Sequence, residues 1–550
     1  MPARASAGDH WLPAALVHGF GAALAMWCVG YVTHLPGLAP TSAGGKAVVG
    51  MCLIAAFGSV LGLLGGAAPR ERLVRAGLVA GLLAGSCNLM ILGSVLSEPP
   101  AAGGSAPVPN AGAMALGFLG ASGVAGVAFA WLGGVIAPGW SRLRASTDRW
   151  HARLAVLAAL GVVPVLLTGG LVTSHEAGLA VPDWPNSYTA NMFLYPLSKM
   201  TGGIYYEHMH RLFGALAGLG CLLLFVFSLA RMLTGRRAGR DAPDAPGAAA
   251  PGTPALRRGW ASWLAGLALT LITIQGLLGG LRVIAADGST DVSQWKDQAR
   301  ETVYSGRAET ANFALTVDNT TSINLALAHG VSGQLTFVFI AIAAAMVSPA
   351  WTRARERARR SAERGDGVEA LPRDGLLRWC AGLLFASAVV QLIFGAAVRH
   401  HESVLMLFVH ITMGSLLVLF AAVATFRMLS RHGDDPTLRR TAKWLLGVVL
   451  AQFALGWVAM FAAVPHYGGK AGSGTGLTTE QPVAAVLGAT AHQALGAFFL
   501  ALCGLTFVWS LRLTASRAAA QAYGEEAVAA VPHDDASAPP RLPGSVATAG

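Results

Sequence analysis

The stretch Glu207-His208-Met209-His210-Arg211-Leu212-Phe213-Gly214, running on through apolar residues to Leu233, decides how the chain is read. It sets a carboxylate, a histidine three residues later and a glycine four further on at the mouth of a segment long enough to be a membrane helix. An ionisable group in such a place is a functional-site hypothesis by default, because lipid makes it costly. The same His-x-x-x-Gly spacing returns at His329/Gly333, His410/Gly414 and His492/Gly496, each inside a later hydrophobic segment. The rest of the chain reads as scaffold for these four histidines.

The 550 residues are 54% hydrophobic and only 12% charged, with a mean hydropathy of +0.54, which excludes a soluble protein. Apolar runs of about 20 residues, enough to cross a hydrocarbon core of ~30 Å, recur along the chain. A formal net charge of +11 would suit nucleic acid. The basic residues instead cluster in alternate inter-helix segments, as the positive-inside rule requires, so the excess is topology and no nucleic-acid partner is expected. No compact basic region followed by a short apolar core opens the chain, and insertion is expected to rest on the first spanning helix. The six cysteines (Cys28, Cys52, Cys87, Cys221, Cys380, Cys503) lie in or at the ends of hydrophobic segments and read as small hydrophobes, not as a disulfide framework.

Twelve spans are expected. The first four, roughly 12–33, 47–67, 73–95 and 112–136, make an N-terminal extension (1–140) whose role the sequence does not reveal. Its one deep histidine, His18, has neither the glycine spacing nor an acidic neighbour and reads as a satisfied core residue. Eight more follow at roughly 154–174, 208–233, 260–283, 323–347, 377–398, 404–428, 442–464 and 486–511. Basic clusters (Arg70, Arg72 and Arg75; Arg142 to Arg153; Arg231 to Arg240; Arg353 to Arg360; Arg427 to Arg440; Arg512 and Arg517) put both termini on the cytoplasmic side. Segment 241–257 reads as a cytoplasmic linker and 517–550 as a disordered cytoplasmic tail. The polar segment 284–320 ends in a sequon at Asn319 that carries little meaning in a bacterial-looking chain.

The eight later spans are two copies of four. Gly169-Gly170 through His175-Glu176 aligns with Gly395-Ala396 through His401-Glu402. His210 aligns with His410, His329 with His492, and Gln275/Gly279 with Gln452/Gly456. Both copies keep one orientation, which makes them parallel repeats related by an axis along the membrane normal. The expected fold is therefore an all-α integral membrane protein: two parallel-repeat four-helix bundles, preceded by about four extra transmembrane helices. The first bundle spans 150–240 and 258–350, the second 375–515.

Every histidine-bearing helix of the repeats runs in the same direction, so the four imidazoles lie at similar depth, one facing pair per bundle. Two facing imidazoles suit the axial positions of haem iron, and bundle interiors are where such groups are held. The glycine at i+4 on the same face would let a flat macrocycle approach the backbone. The alternatives are buried structural histidines with packing glycines, and zinc, for which each pair lacks further ligands. Glu207 stands one turn before His210, while Leu407 holds the matching place before His410. The acid reads either as a proton-handling group beside a bound macrocycle or as a helix-start acid on the dipole. His175, Glu176, His400, His401 and Glu402 read as a solvated rim, or as part of a proton path or a contact to macrocycle propionates. Arg211, Arg282 and Arg399 read either as partners of macrocycle carboxylates or as interfacial snorkelling residues.

At these residues the chain resembles the haem A synthase family over about 150–515. The resemblance rests on the eight spans in two repeats, the four helix histidines, Glu-x-x-His-Arg, and Gly178-Leu179 followed by Pro182-Asp183-Trp184-Pro185. It implies oxidation of the methyl group of haem O to the formyl group of haem A by successive hydroxylations, in support of cytochrome oxidase assembly. It implies that haem O lies between His210 and His329 with Arg211 close by, that haem b is the cofactor on His410 and His492, and that Glu207 has the essential acidic role. The implied setting is the bacterial cytoplasmic membrane, with haem O synthase and cytochrome oxidase assembly factors as partners. The loop cysteine pair of some members is missing; Val181 and Ser187 stand around the motif. From the residues alone, a two-haem b-type cytochrome that only transfers electrons and a transporter built on parallel repeats remain the other readings.

Overall fold

The structure is a computed structural model that describes residues 11–98, 106–136, 147–181, 183–188, 190–241, 254–286, 320–352, 374–401, 403–467 and 482–514. The linker expected at 241–257, the sequon at Asn319, Pro182, Glu402 and the tail at 517–550 lie largely or wholly outside these residues. Among the described residues twelve helices are long and apolar enough to cross a membrane, and the chain is an all-α, multi-pass membrane protein. They are α1 (Trp11–Thr33), α2 (Ala43–Ala67), α3 (Leu73–Val95), α4 (Ala111–Ile136), α5 (Thr147–Ser174), α6 (Gly202–Asp241), α7 (Pro254–Ala286), α8 (Thr320–Met346), α9 (Gly375–His401), α10 (Val404–His432), α11 (Pro436–Tyr467) and α12 (Val483–Leu513). The one sheet among the described residues is a two-residue antiparallel pairing, Ser97–Glu98 with Ala106–Pro107.

Helices α5 to α8 close into one ring and α9 to α12 into a second; the rings meet through α5, α8, α9 and α12. At the seam Thr490 donates to Ser174 at 3.2 Å, and Arg399 reaches across to the Thr173 carbonyl. Lipid offers helices no hydrophobic gain on meeting, so close packing at small residues has to hold them together. The extension shows this plainly. A Cβ on Gly65 would fall 2.2 Å from the Gly134 nitrogen, and one on Gly81 2.2 Å from the Ser122 carbonyl. In the same unit His18 is buried with Nδ1 2.7 Å from the Ala14 carbonyl, a satisfied core histidine.

The extension does not stand apart. Along one face of α1, Phe20 fits against Gly220, Trp27 meets Phe213 edge-on, and Tyr31 stacks on Tyr205 with ring centroids 5.4 Å apart. Tyr205 also donates its hydroxyl to the Tyr31 carbonyl at 2.6 Å. These contacts explain why α6 starts at Gly202, six residues before the apolar run in the sequence. Polar neighbours mask the first turns, and α1 supplies the packing that makes them helical.

At the opposite end of the second bundle, Asp374 caps α9 by accepting the Leu377 N–H at 2.9 Å. Arg427 binds the same carboxylate at 3.0 Å, and His432 Nε2 lies 2.8 Å from it. Burial works against the charged form, but Arg427, the Leu377 N–H and His432 outweigh it and hold the carboxyl below the ordinary range. A carboxyl depressed on folding stabilises the protein fully above its unfolded pKa of about 3.9 and loses that contribution as pH falls through the lower folded value. Asp374→Asn should therefore cost about 1.5–3 kcal/mol at neutral pH, the usual worth of bonds to a charged group. Melting of both forms in detergent at pH 7 and pH 3 checks this. The gap should narrow at pH 3, and equal melting at pH 7 would refute the assignment.

Candidate functional site

The four histidines sit two to three turns into α6, α8, α10 and α12. His210 faces His329 with ring centroids 6.2 Å apart and planes nearly perpendicular, at 87°. His410 faces His492 at the same 6.2 Å and 78°. A first-row metal takes an imidazole nitrogen at about 2.0–2.1 Å, so two collinear imidazoles on one ion have centroids roughly 6 Å apart. Both pairs have the spacing of axial ligands to one iron. Among the described residues no group of three or more His, Cys, Asp or Glu converges, so each donor set is a pair.

Each ring is seated by a glycine on the preceding helix. A Cβ on Gly169 would fall 3.0 Å from His210 Cε1, on Gly279 3.3 Å from His329, on Gly395 2.8 Å from His410 and on Gly456 3.0 Å from His492. The missing side chain lets the imidazole lie against the backbone, beside the carbonyl one turn earlier. At His410 that carbonyl is Gln391's, 3.2 Å from Nδ1. At His492 the Gln452 side-chain amide lies 3.2 Å from Nδ1 and 3.4 Å from Nε2, and at His329 Nδ1 is buried without a partner. A backbone carbonyl at Nδ1, as at His410, fixes the tautomer and leaves Nε2 as the free donor, the usual arrangement behind a metal-bound histidine. At His210 the partner of Nδ1 is the Thr168 hydroxyl, 3.1 Å away, which itself donates to the Pro164 carbonyl at 2.8 Å.

The i+4 glycines are less uniform than the spacing suggests. Glutamine amides lie over three of them, at 3.5 Å from a Cβ on Gly333, 3.3 Å from Gly414 and 3.0 Å from Gly496. Only Gly214, where α5 has Val165 in place of a glutamine, faces open space. The seating glycines had served in the sequence only to align the repeats. Their fourfold recurrence was the signal, but no intrahelical spacing tells which neighbour a ring will touch. Gly395→Ala, at the tightest seat, should cost about 1–3 kcal/mol by overpacking. Gly447→Ala, with nothing within 4 Å, should cost no more than a few tenths. Thermal unfolding of the two variants in detergent compares them directly, and equal melting would show that the seat yields freely.

The bundles differ at their histidine ends. Only residues 402–403 join α9 to α10, whereas residues 175–201 fold as a lid over the first bundle. Trp184 covers Gly280, so a Cβ there would fall 2.3 Å from the indole. Tyr188 is buried, takes the Asp183 carboxylate on its N–H at 2.6 Å and donates its hydroxyl to the Ala180 carbonyl at 2.6 Å. Burial first, then Tyr195 and the Glu207 and Asp183 carboxylates, pushes that hydroxyl's pKa up and keeps it a donor. His208, which the sequence left without a role, is fully buried with Nδ1 3.1 Å from the Ser187 hydroxyl. At the rim His175 stacks on Tyr206 at 4.0 Å, and its burial lowers its pKa.

Glu207 lies beneath this lid, 5% exposed. One carboxylate oxygen accepts the Val181 N–H at 2.7 Å and the other binds Arg211 at 2.7 Å. It stands in the second turn of α6, whose first turn contains no acid, so the helix-start explanation does not describe it. Arg211 is held by the lid: its terminal nitrogens bind the Val181, Asp183 and Asn186 carbonyls as well as Glu207. Only the fold of the lid could reveal that.

The fold and site define a multi-pass helical membrane protein with two paired-imidazole bundles, the first of which carries, among the described residues, a lid and a buried acid. No protein-family model, no curated protein and no solved structure matches the chain.

Proposed function

We propose that the chain is a haem-modifying oxidoreductase of the haem A synthase type, oxidising the methyl group of haem O to the formyl group of haem A. The observation that carries the reading is the combination of two imidazole pairs at one separation, 6.2 Å, with a buried carboxylate beside one of them and, among the described residues, no counterpart beside the other. His210 and His329 would hold haem O as substrate, and His410 and His492 would hold haem b as the electron-transfer group. When bound, the iron macrocycles supply the redox chemistry. The chain's own residues orient them, exclude water beneath the lid, and hold a proton-exchanging group at Glu207 through Val181 and Arg211. The arginine-rich helix ends support a bacterial cytoplasmic membrane setting with both termini inside. Haem O synthase and cytochrome oxidase assembly factors would be the partners.

The engagement of Glu207 by Arg211 favours one competing reading, a two-haem b-type cytochrome in which that acid only braces the lid. Purification from cells making haem O, followed by extraction and mass identification of the haems, separates the two. Haem O or its hydroxylated forms beside haem b are expected. Haem b alone, with no conversion, would leave the electron carrier, and a preparation without a Soret band would end both.

A further inference from the structure

Two axial imidazoles fix the plane of a macrocycle but leave it free to turn about the line joining them. Something at its edge must decide which substituent comes to Glu207. Arg282, near the end of α7, is placed for that. Its guanidinium lies flat on the lid backbone, and a Cβ on Gly178 would fall 2.2 Å from Nη1 and 2.6 Å from Nη2. The motif glycine Gly178 is thus the floor beneath this side chain. Arg282 acts electrostatically on His210, His329 and, across the seam, His400.

What sets Arg282 apart is that nothing among the described residues answers it. Its Nε is buried without a partner, and among the described residues its guanidinium makes no hydrogen bond or ion pair. Glu207, the one carboxylate acting on it, is already bound to Arg211 and the Val181 N–H. Arg211 is taken up by the lid carbonyls and Arg399 by the Thr173 carbonyl. A cation withdrawn from water without an anion is costly, and a planar fork of donors matches a carboxylate in two-point contact. Resting on the functional reading above, we propose that Arg282 is the carboxylate-binding residue of the first bundle. It receives an acidic edge substituent of the macrocycle held between His210 and His329, and so sets which edge of that macrocycle meets Glu207.

The probes are a haem with free propionates and its dimethyl ester, titrated by Soret absorbance into the full-length protein in detergent. His410→Ala serves as background, so that the first bundle is the site observed. With Arg282 present the acid should bind at least tenfold tighter than the ester. Arg282→Leu should erase that preference by weakening the acid alone, and unchanged ester binding shows that the site is intact. If Arg282→Leu fails to fold, Arg282→Lys decides: a point charge in place of the fork should lower the acid-to-ester ratio severalfold. An unaltered ratio in the variant that folds overturns the proposal. No Soret band in the His410→Ala chain, or one indifferent to His210→Ala, overturns the proposal together with the functional reading beneath it.

Discussion

His410→Ala is expected to strip the second bundle of its haem and leave the first bundle's content unchanged. The expectation follows from the seat of the ring. His410 is pressed on Gly395, backed by the Gln391 carbonyl at 3.2 Å and opposed by His492 at 6.2 Å, so no other imidazole among the described residues stands ready to replace it. Loss of a partner behind a ligand costs about 10–100-fold in metal affinity, and loss of the ligand itself should exceed that. His492→Ala should do the same, and the double variant should be scarcely worse than either single one, because both rings serve one ion. His151→Ala is the control. That imidazole is buried against the Ser228 hydroxyl at 2.7 Å, so its loss should lower melting without touching haem content. Haem extracted per protein, with the visible spectrum, is the measurement, and an unchanged yield from His410→Ala would remove the ligand assignment.

Much of this was legible before any coordinates. Span length and arginine placement follow from the bilayer's thickness and charge asymmetry, which act on every residue alike, and twelve segments were expected where twelve helices stand. The facing histidines were legible for a different reason: a repeat shows one arrangement twice, and His210 and His410 fall in register. What escaped the sequence depends on who meets whom. Gly169 and Gly395 were visible as aligned residues, yet their task is set by rings on another helix. Arg211 and Arg282 look alike as isolated arginines near a membrane surface. The described part of the lid separates them by filling one with carbonyls, while the other has no anion bound among the described residues. The start of α6 was missed for the same reason, since its stability comes from Tyr31 on α1.

Glu207→Ala should abolish conversion of haem O while both haems remain bound. Glu207 is positioned by α6 and the lid, and neither histidine pair depends on it for a hydrogen bond. Haem content should stay near that of the parent protein. General acid–base groups contribute typically 10²–10⁴-fold, so the loss should be large enough to leave no detectable product. The variant also separates the two roles that Glu207 carries in one carboxylate. As a brace it ties the Val181 N–H and Arg211 together, and Glu207→Gln retains an oxygen to accept one of those bonds while giving up the charge and the exchangeable proton. If bracing were its whole task, Glu207→Gln should convert haem O at a rate within a fewfold of the parent, and Arg211→Ala should be as damaging as Glu207→Ala. If the proton matters, Glu207→Gln should be as inactive as Glu207→Ala, whereas Arg211→Ala should loosen the lid and retain measurable turnover. Product formation per haem O supplied, with haem content measured alongside, distinguishes the two. Full conversion by Glu207→Gln would return the first bundle to electron transfer.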